Sequence, residues 1–278
     1  MTRTSDGGLA GIRIRPGDAP ALGHRATDGT LGLAGKEQAR DAVAALSRRL
    51  RELQSLLAAD GTRALLVVLQ GMDASGKDGV ARALVRDLNP MILQVRGFSA
   101  PTEEERRHDF LWRIVGAMPA RGEIGVFNRS HYEDVLVVRV EGLAPETVWR
   151  PRFAAIAEWE ARMHHEGVAI VKFLLHISPE VQLERLRERV AEPLKRWKYR
   201  AEDLARRPLW GTYMAAYEEA IARTSTDDCP WYVVPADRKW VRDWAVLQTV
   251  VDTLEAMHLP EPAMPAGVPP ALLPDRSD

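Results

Sequence analysis

A single cysteine, Cys229, stands among 278 residues, which excludes an internal disulfide and any metal cluster built on cysteines. No apolar run approaches the roughly 20 residues needed to cross a bilayer. The opening MTRTSDGGLAG carries no apolar stretch of the kind a secretory signal needs. These absences lead to the expectation of a cytoplasmic protein with no membrane partner. Neither sign of charge is in excess, the net being −1, and aromatic residues make up only 6%. A neutral total and few stacking platforms argue against a nucleic-acid partner. What is present is a globular composition, 46% hydrophobic and 28% charged, in a chain long enough to bury one full core.

The patterning is that of an α/β protein. Residues 1–34, rich in Gly, Arg and Asp without helical periodicity, read as a flexible N-terminal lead-in. From Lys36 to Ala59 apolar residues recur at helical spacing, and ALLVVL at Ala64–Leu69 is a short apolar run that stops just before Gly71. Such a run is the signature of a strand buried on both faces. Similar runs follow at Met91–Val95, Ile124–Phe127, Val168–Ile177 and Trp231–Val234, each separated from the next by enough chain for a helix. The alternation predicts a three-layer sandwich, a five-stranded parallel sheet with helices on both faces, forming one domain over 35–259. Beyond it, residues 260–278 are dominated by proline and predict a disordered tail. Trp112, Trp149, Trp159, Trp210 and Trp244 are expected in packing rather than in ligand stacking.

Ser178-Pro179-Glu180 opens a helix, with an N-cap serine, proline in the first turn and an acid near the helix N-terminus. Between Gln182 and Arg207 nine basic residues stand against five acidic ones. Arg185 and Arg189 project from one helix face, and Pro193 then limits the helix ahead of LKRWKYR. Two readings stay open here: a mobile, anion-binding lid over about 185–210, or a solvated helix face with i,i+4 ion pairs.

The sharpest motif follows the first long strand. Gly71-Met-Asp-Ala-Ser-Gly76-Lys77-Asp78-Gly79 matches the G-x-x-x-x-G-K core of a phosphate-binding loop, with a strand before it and a helix after it. Its glycines let backbone N–H groups turn toward phosphate oxygens, the helix N-terminus adds partial positive charge, and Lys77 adds a full one. Asp78 stands where Ser or Thr normally ligates magnesium. Asp73, inside the loop, would repel an anion unless a divalent cation lay between them, so it is a candidate metal ligand; the alternative is an aspartate that stabilises the turn. Past the third strand comes Asn128-Arg129-Ser130-His131-Tyr132-Glu133-Asp134, at the ligand edge of an open α/β sheet. Arg129 suits a transferring phosphoryl group, and Glu133 or Asp134 suits metal or acceptor; a capped helix start with surface charges is the alternative. Asp237-Arg238-Lys239, after the last strand, lies at the same edge.

Taken together, GMDASGKDG, PTEEERRHDFLWR (Pro101–Arg113), FNRSHYEDVLVVRV (Phe127–Val140), PLKRWKYRAEDL (Pro193–Leu204) and STDDCPWYVVPADRKW (Ser225–Trp240) resemble the polyphosphate kinase 2 family in order and spacing. The likeness runs from about Lys36 to His258. It implies a P-loop kinase-like fold and a reversible, magnesium-dependent transfer from inorganic polyphosphate to adenine nucleotides, with manganese as a substitute ion and guanine as a second base. The resemblance implies that Gly71, Ala74, Ser75, Gly76, Lys77, Asp78 and Gly79 cradle phosphate, that Asp73 and Glu133, with Asp134 beside them, serve magnesium, and that Arg129 stabilises the transferring group. Arg185, Arg189, Lys195 and Lys198 would line a polyphosphate channel and lid. Arg113, Asn128, Arg238 and Lys239 are further candidates for nucleotide contacts. Members dedicated to nucleoside diphosphates tend to carry Asn after the motif tyrosine; Glu133 here resembles the subgroup that takes both AMP and ADP. A homodimer or homotetramer is implied as well. The rival readings are an ATP-dependent nucleotide kinase, against which Asp78 counts, and a non-catalytic phosphate-loop sensor.

Overall fold

A computed structural model describes residues 8–264. The strands are β1 (Arg13–Ile14), β2 (Ala64–Gln70), β3 (Leu93–Gly97), β4 (Ile124–Asn128), β5 (Val168–His176) and β6 (Trp231–Pro235). They form one sheet in the order β1-β6-β5-β2-β4-β3. β2 to β6 are mutually parallel, and only β1 runs antiparallel, pairing Arg13 with Tyr232 and Ile14 with Trp231. β2 is central and wholly buried. Its residues alternate by face as the strand period of two requires: Leu65, Val67 and Leu69 join one core cluster, Leu66 and Val68 the other.

Among the described residues six helices longer than two turns cover the sheet: α1 (Lys36–Asp60), α2 (Lys77–Val85), α3 (Arg152–His165), α4 (Pro179–Ala191), α5 (Trp210–Thr224) and α6 (Lys239–Ala256). α1, α2 and α6 supply Leu50, Leu57, Val80, Leu84, Val246 and Val250 to the first cluster. α3 and α5 supply Phe153, Ile156, Trp159, Tyr217 and Ile221 to the second. α4 begins as its sequence predicts, with the Ser178 hydroxyl accepting from the Val181 N–H at 3.2 Å and Pro179 in the first turn.

Three expectations need correction. Among the described residues the sheet has six strands rather than five, because a two-residue edge strand is too short to leave a period in the sequence. The lead-in is not loose over residues 8–34: Ile12, Ile14, Leu22, Leu31 and Leu33 are buried, and Thr27 bonds Asp237 Oδ2 at 2.6 Å. It is a strap held to the sheet by isolated apolar residues among polar ones. Trp112 is 48% exposed rather than packed in the core and stacks on His108 at 4.2 Å. The tail expected from 260 is irregular and exposed over 260–264; its remainder, like residues 1–7, lies outside the described residues. Among the described residues no helix is long and apolar enough to cross a membrane.

Candidate active site

The phosphate loop joins β2 to α2. Gly71 (φ +147°) and Gly76 (φ +104°) hold backbone that side-chain-bearing residues rarely adopt. A Cβ at Gly71 would meet Leu175 O at 2.8 Å, and one at Gly76 would meet the Arg242 guanidinium at 1.9 Å. Lys77 is buried, and its ammonium donates to Gly71 O at 2.7 Å and Met72 O at 3.2 Å. Burial, followed by the nearby Arg129, lowers its pKa to about 8 against the pull of Asp73 and Glu133. The Ser75 hydroxyl is buried in the loop without a partner, a polar group left for a ligand oxygen.

β4 delivers the second half of the site. Arg129 adopts a left-handed backbone (φ +65°), its N–H bonded to Leu69 O at 2.9 Å. From there the guanidinium bonds Asp73 Oδ1 with one arm and Glu133 Oε2, at 3.0 Å, with the other. Glu133 first, then Asp73, hold the guanidinium in its charged form against burial. Burial acts to raise the Asp73 carboxyl, but Arg129, Lys77, Arg206 and Arg189 together keep it below the usual carboxylate range. Asp73 and Glu133 are thus two hard anionic donors facing one space beside the phosphate loop. That suits a magnesium-sized cation, which takes one or two protein carboxylates and completes its shell with water and substrate phosphate.

Asp134 does not join them. It pairs with Arg152 at 3.3 Å and Arg113 at 3.6 Å, and burial raises its pKa despite both cations. Among the described residues no group of three His, Cys, Asp or Glu is arranged to hold a metal, so the expected trio reduces to Asp73 and Glu133. Arg113 therefore lies beside Asp134, with a further bond to Ser99 O at 2.8 Å. Asn128 bonds Asp78 Oδ1 at 2.7 Å. Arg238 bonds Asp28 O in the strap at 2.9 Å, and exposed Lys239 faces Glu188 at 3.8 Å.

The lid folds over the loop. Lys198 reaches Asp78 Oδ2 at 2.7 Å, and Arg189 bonds Asp203 at 3.0 Å. Burial, and then Asp73 opposite, raise Asp203 to about 6. Lys195, by contrast, bonds its neighbour Glu192 on the half-exposed outer side.

Arg185 is not a channel residue. Its guanidinium is buried and donates to Ala74 O, Ser75 O, Ala236 O and Asp237 O at 2.7–3.1 Å, tying the phosphate loop to the segment after β6. Arg185→Ala strands those carbonyls, a loss of at least about 3 kcal/mol. The expected result is a Tm lower by roughly 6–12 °C in a thermal melt, with the KM for anionic substrate unchanged in the folded fraction.

Sequence reasoning missed Arg206, whose Nη1 lies 3.5 Å from Asp73 Oδ2 and whose Nε bonds Glu141 at 2.5 Å. It lies beyond the Pro193 break, so no helical register aligns it with Arg189. It also missed Tyr217, whose phenol is held protonated by burial and then by Glu133.

A phosphate loop at the ligand edge of a parallel sheet, facing an arginine, two carboxylates and a basic lid, defines a P-loop phosphotransferase. The polyphosphate kinase 2 (PPK2) family model matches residues 34–262. The AMP/ADP-polyphosphate phosphotransferase of Meiothermus ruber is 51% identical over 230 residues, covering 82% of this chain and 86% of that one. The ADP-polyphosphate phosphotransferase of Rhodopseudomonas palustris is 40% identical over 263 residues, 90% and 91% of the two chains. The crystal structure of polyphosphate kinase 2 from Arthrobacter aurescens TC1 superposes with a TM-score of 0.90 at 41% identity, over 96% and 95% of the chains. The chain belongs to the polyphosphate kinase 2 family and is an enzyme.

Proposed function

We propose that this enzyme moves the terminal phosphoryl group of inorganic polyphosphate to AMP and to ADP, by direct in-line transfer. The observation that carries the reading is Arg129, which bonds Asp73 of the phosphate loop and Glu133 of the β4 turn at once. An oxygen of the acceptor's terminal phosphate attacks the last phosphorus of polyphosphate. The bond from that phosphorus to the bridging oxygen breaks, and the chain leaves one unit shorter. The attacking oxygen is already anionic, so no general base is needed, and catalysis consists of positioning and charge stabilisation. Lys77 and the loop amides hold the phosphates, Arg129 neutralises charge on the group in flight, and Arg189, Lys198 and Arg206 cover the donor from the lid. Asp73 and Glu133 would hold a divalent cation, magnesium or manganese, which when bound would supply Lewis-acid charge neutralisation. Support for both acceptors comes from Glu133 and from the relative in Meiothermus ruber named for AMP and ADP.

The test is purified protein with long-chain polyphosphate, magnesium and either AMP or ADP, read by ion-exchange chromatography. ATP from ADP, and ADP then ATP from AMP, are expected, each lost with EDTA and with Lys77→Ala. Transfer only when ATP replaces polyphosphate as donor would make the chain an ordinary nucleotide kinase. In the same assay the KM for polyphosphate rises with added salt, since screening shortens to about 8 Å at 0.15 M.

A further inference from the structure

Beneath the β4 turn lies a charge cluster that the reaction as described does not use. Glu160 of α3 and Lys172 of β5 are an ion pair with side chains 1% and 0% exposed. Around them, Lys172 Nζ donates to Thr224 O at 2.7 Å and to the Tyr132 hydroxyl at 3.1 Å. That hydroxyl lies 2.9 Å from Glu160 Oε1 and 2.9 Å from Thr224 Oγ1. His131 Nε2 lies 3.2 Å from Glu160 Oε1, and the Trp231 indole N–H donates to Thr224 Oγ1 at 2.9 Å. The surroundings are otherwise apolar: Trp159, Ile156, Ala220 and Trp231 all belong to the buried cluster on this face.

Replacing a buried ion pair by apolar residues of similar size is often neutral or stabilising, so stability alone does not account for this one. What it does is join four elements, α3, β5, α5 and β6, to two consecutive residues, His131 and Tyr132. These sit between Arg129 and Glu133 in the turn. At the other end of the turn the Ser130 hydroxyl is buried, 3.2 Å from both Gln70 Nε2 and Tyr132 N. The turn carries Arg129 in a left-handed conformation that side-chain-bearing residues disfavour. Such a conformation persists only where its surroundings over-determine it.

We propose that Glu160 and Lys172, acting through Tyr132, are positioning residues that clamp the β4 turn and so aim Arg129 and Glu133 at the phosphate loop. The proposal rests on the reaction proposed above.

Two variants test it. Tyr132→Phe removes one hydroxyl without changing ring packing. The double variant Glu160→Gln, Lys172→Met removes both charges at similar volume, leaving no lone buried ion. For each, kcat per folded molecule falls at least about tenfold, as a displaced catalytic group requires, while the KM for polyphosphate stays within about twofold. Amide hydrogen exchange over residues 129–136 speeds up by at least about tenfold, and exchange in α1 does not change. Unchanged kcat and unchanged exchange in both variants, with only a lower Tm, would overturn the clamp and leave the cluster a core feature. Wild-type enzyme run alongside separates the two ideas. If it shows no transfer from polyphosphate, the reaction assignment fails, and the clamp stands or falls on the exchange data.

Discussion

Arg129→Ala lowers kcat by at least about 10³-fold, with KM for nucleotide and polyphosphate changed far less. The guanidinium is held charged between Asp73 and Glu133, and an arginine that stabilises charge on a transferring phosphoryl group contributes about 10³–10⁵ to turnover. Arg129→Lys keeps the charge but loses the planar fork that engages two partners at once, so it restores only part of the rate, about tenfold over alanine. Steady-state kinetics on folded variants, checked by circular dichroism, reads both. An Arg129→Ala enzyme within tenfold of wild-type kcat would show that the arginine only pins the turn.

The legible parts of this molecule were those written as uninterrupted local pattern. β2, β4, β5 and β6 each begin at the residue their apolar runs predict and end within one residue of the predicted end, because a parallel strand buried on both faces is a continuous apolar stretch. β3 begins two residues later than predicted, at Leu93, because Asn89 caps a 3-10 turn over Pro90–Ile92. Asp73, Lys77, Arg129 and Glu133 were expected together because a loop motif and a strand end place them at one edge of the sheet, and the structure brings them into one cluster. Asp134 was expected beside Glu133 but pairs with Arg113 and Arg152 instead: His131–Asp134 is a 3-10 turn, on which successive side chains diverge by about 120°, so neighbours in sequence face different partners. Arg185 and Arg189 do share a helix face, yet periodicity says nothing of which carbonyls lie above one of them.

The clamp left a trace that went unread. Lys172 is a single cation inside the apolar run VAIVKFLLH, and a charge in a fully buried strand needs a buried partner. Its partner, Glu160, sits on α3, 12 residues away, and no local pattern connects the two. Arg206 and Asp203 were hidden for a related reason. They reach the loop only because the lid folds back after Pro193, and tertiary geometry rather than register brings them to Asp73.

Asp73→Asn separates the two open readings of that residue. As a metal ligand, Asp73 provides full negative charge, and its amide replacement provides a neutral oxygen in the same place. The magnesium concentration for half-maximal rate then rises by at least about 100-fold, and kcat falls even at saturating magnesium, since Glu133 alone is left to balance the cation. Loss of the carboxylate also frees Arg129 and Arg206, which both bond it, so the KM for polyphosphate falls or holds while turnover collapses. A turn-stabilising aspartate predicts something different: a lower Tm and an unaltered magnesium requirement, because the backbone bonds of a turn do not depend on the cation. A magnesium titration of both enzymes at saturating polyphosphate decides the matter. An unshifted midpoint would remove Asp73 from the metal site and leave Glu133 as its protein anchor.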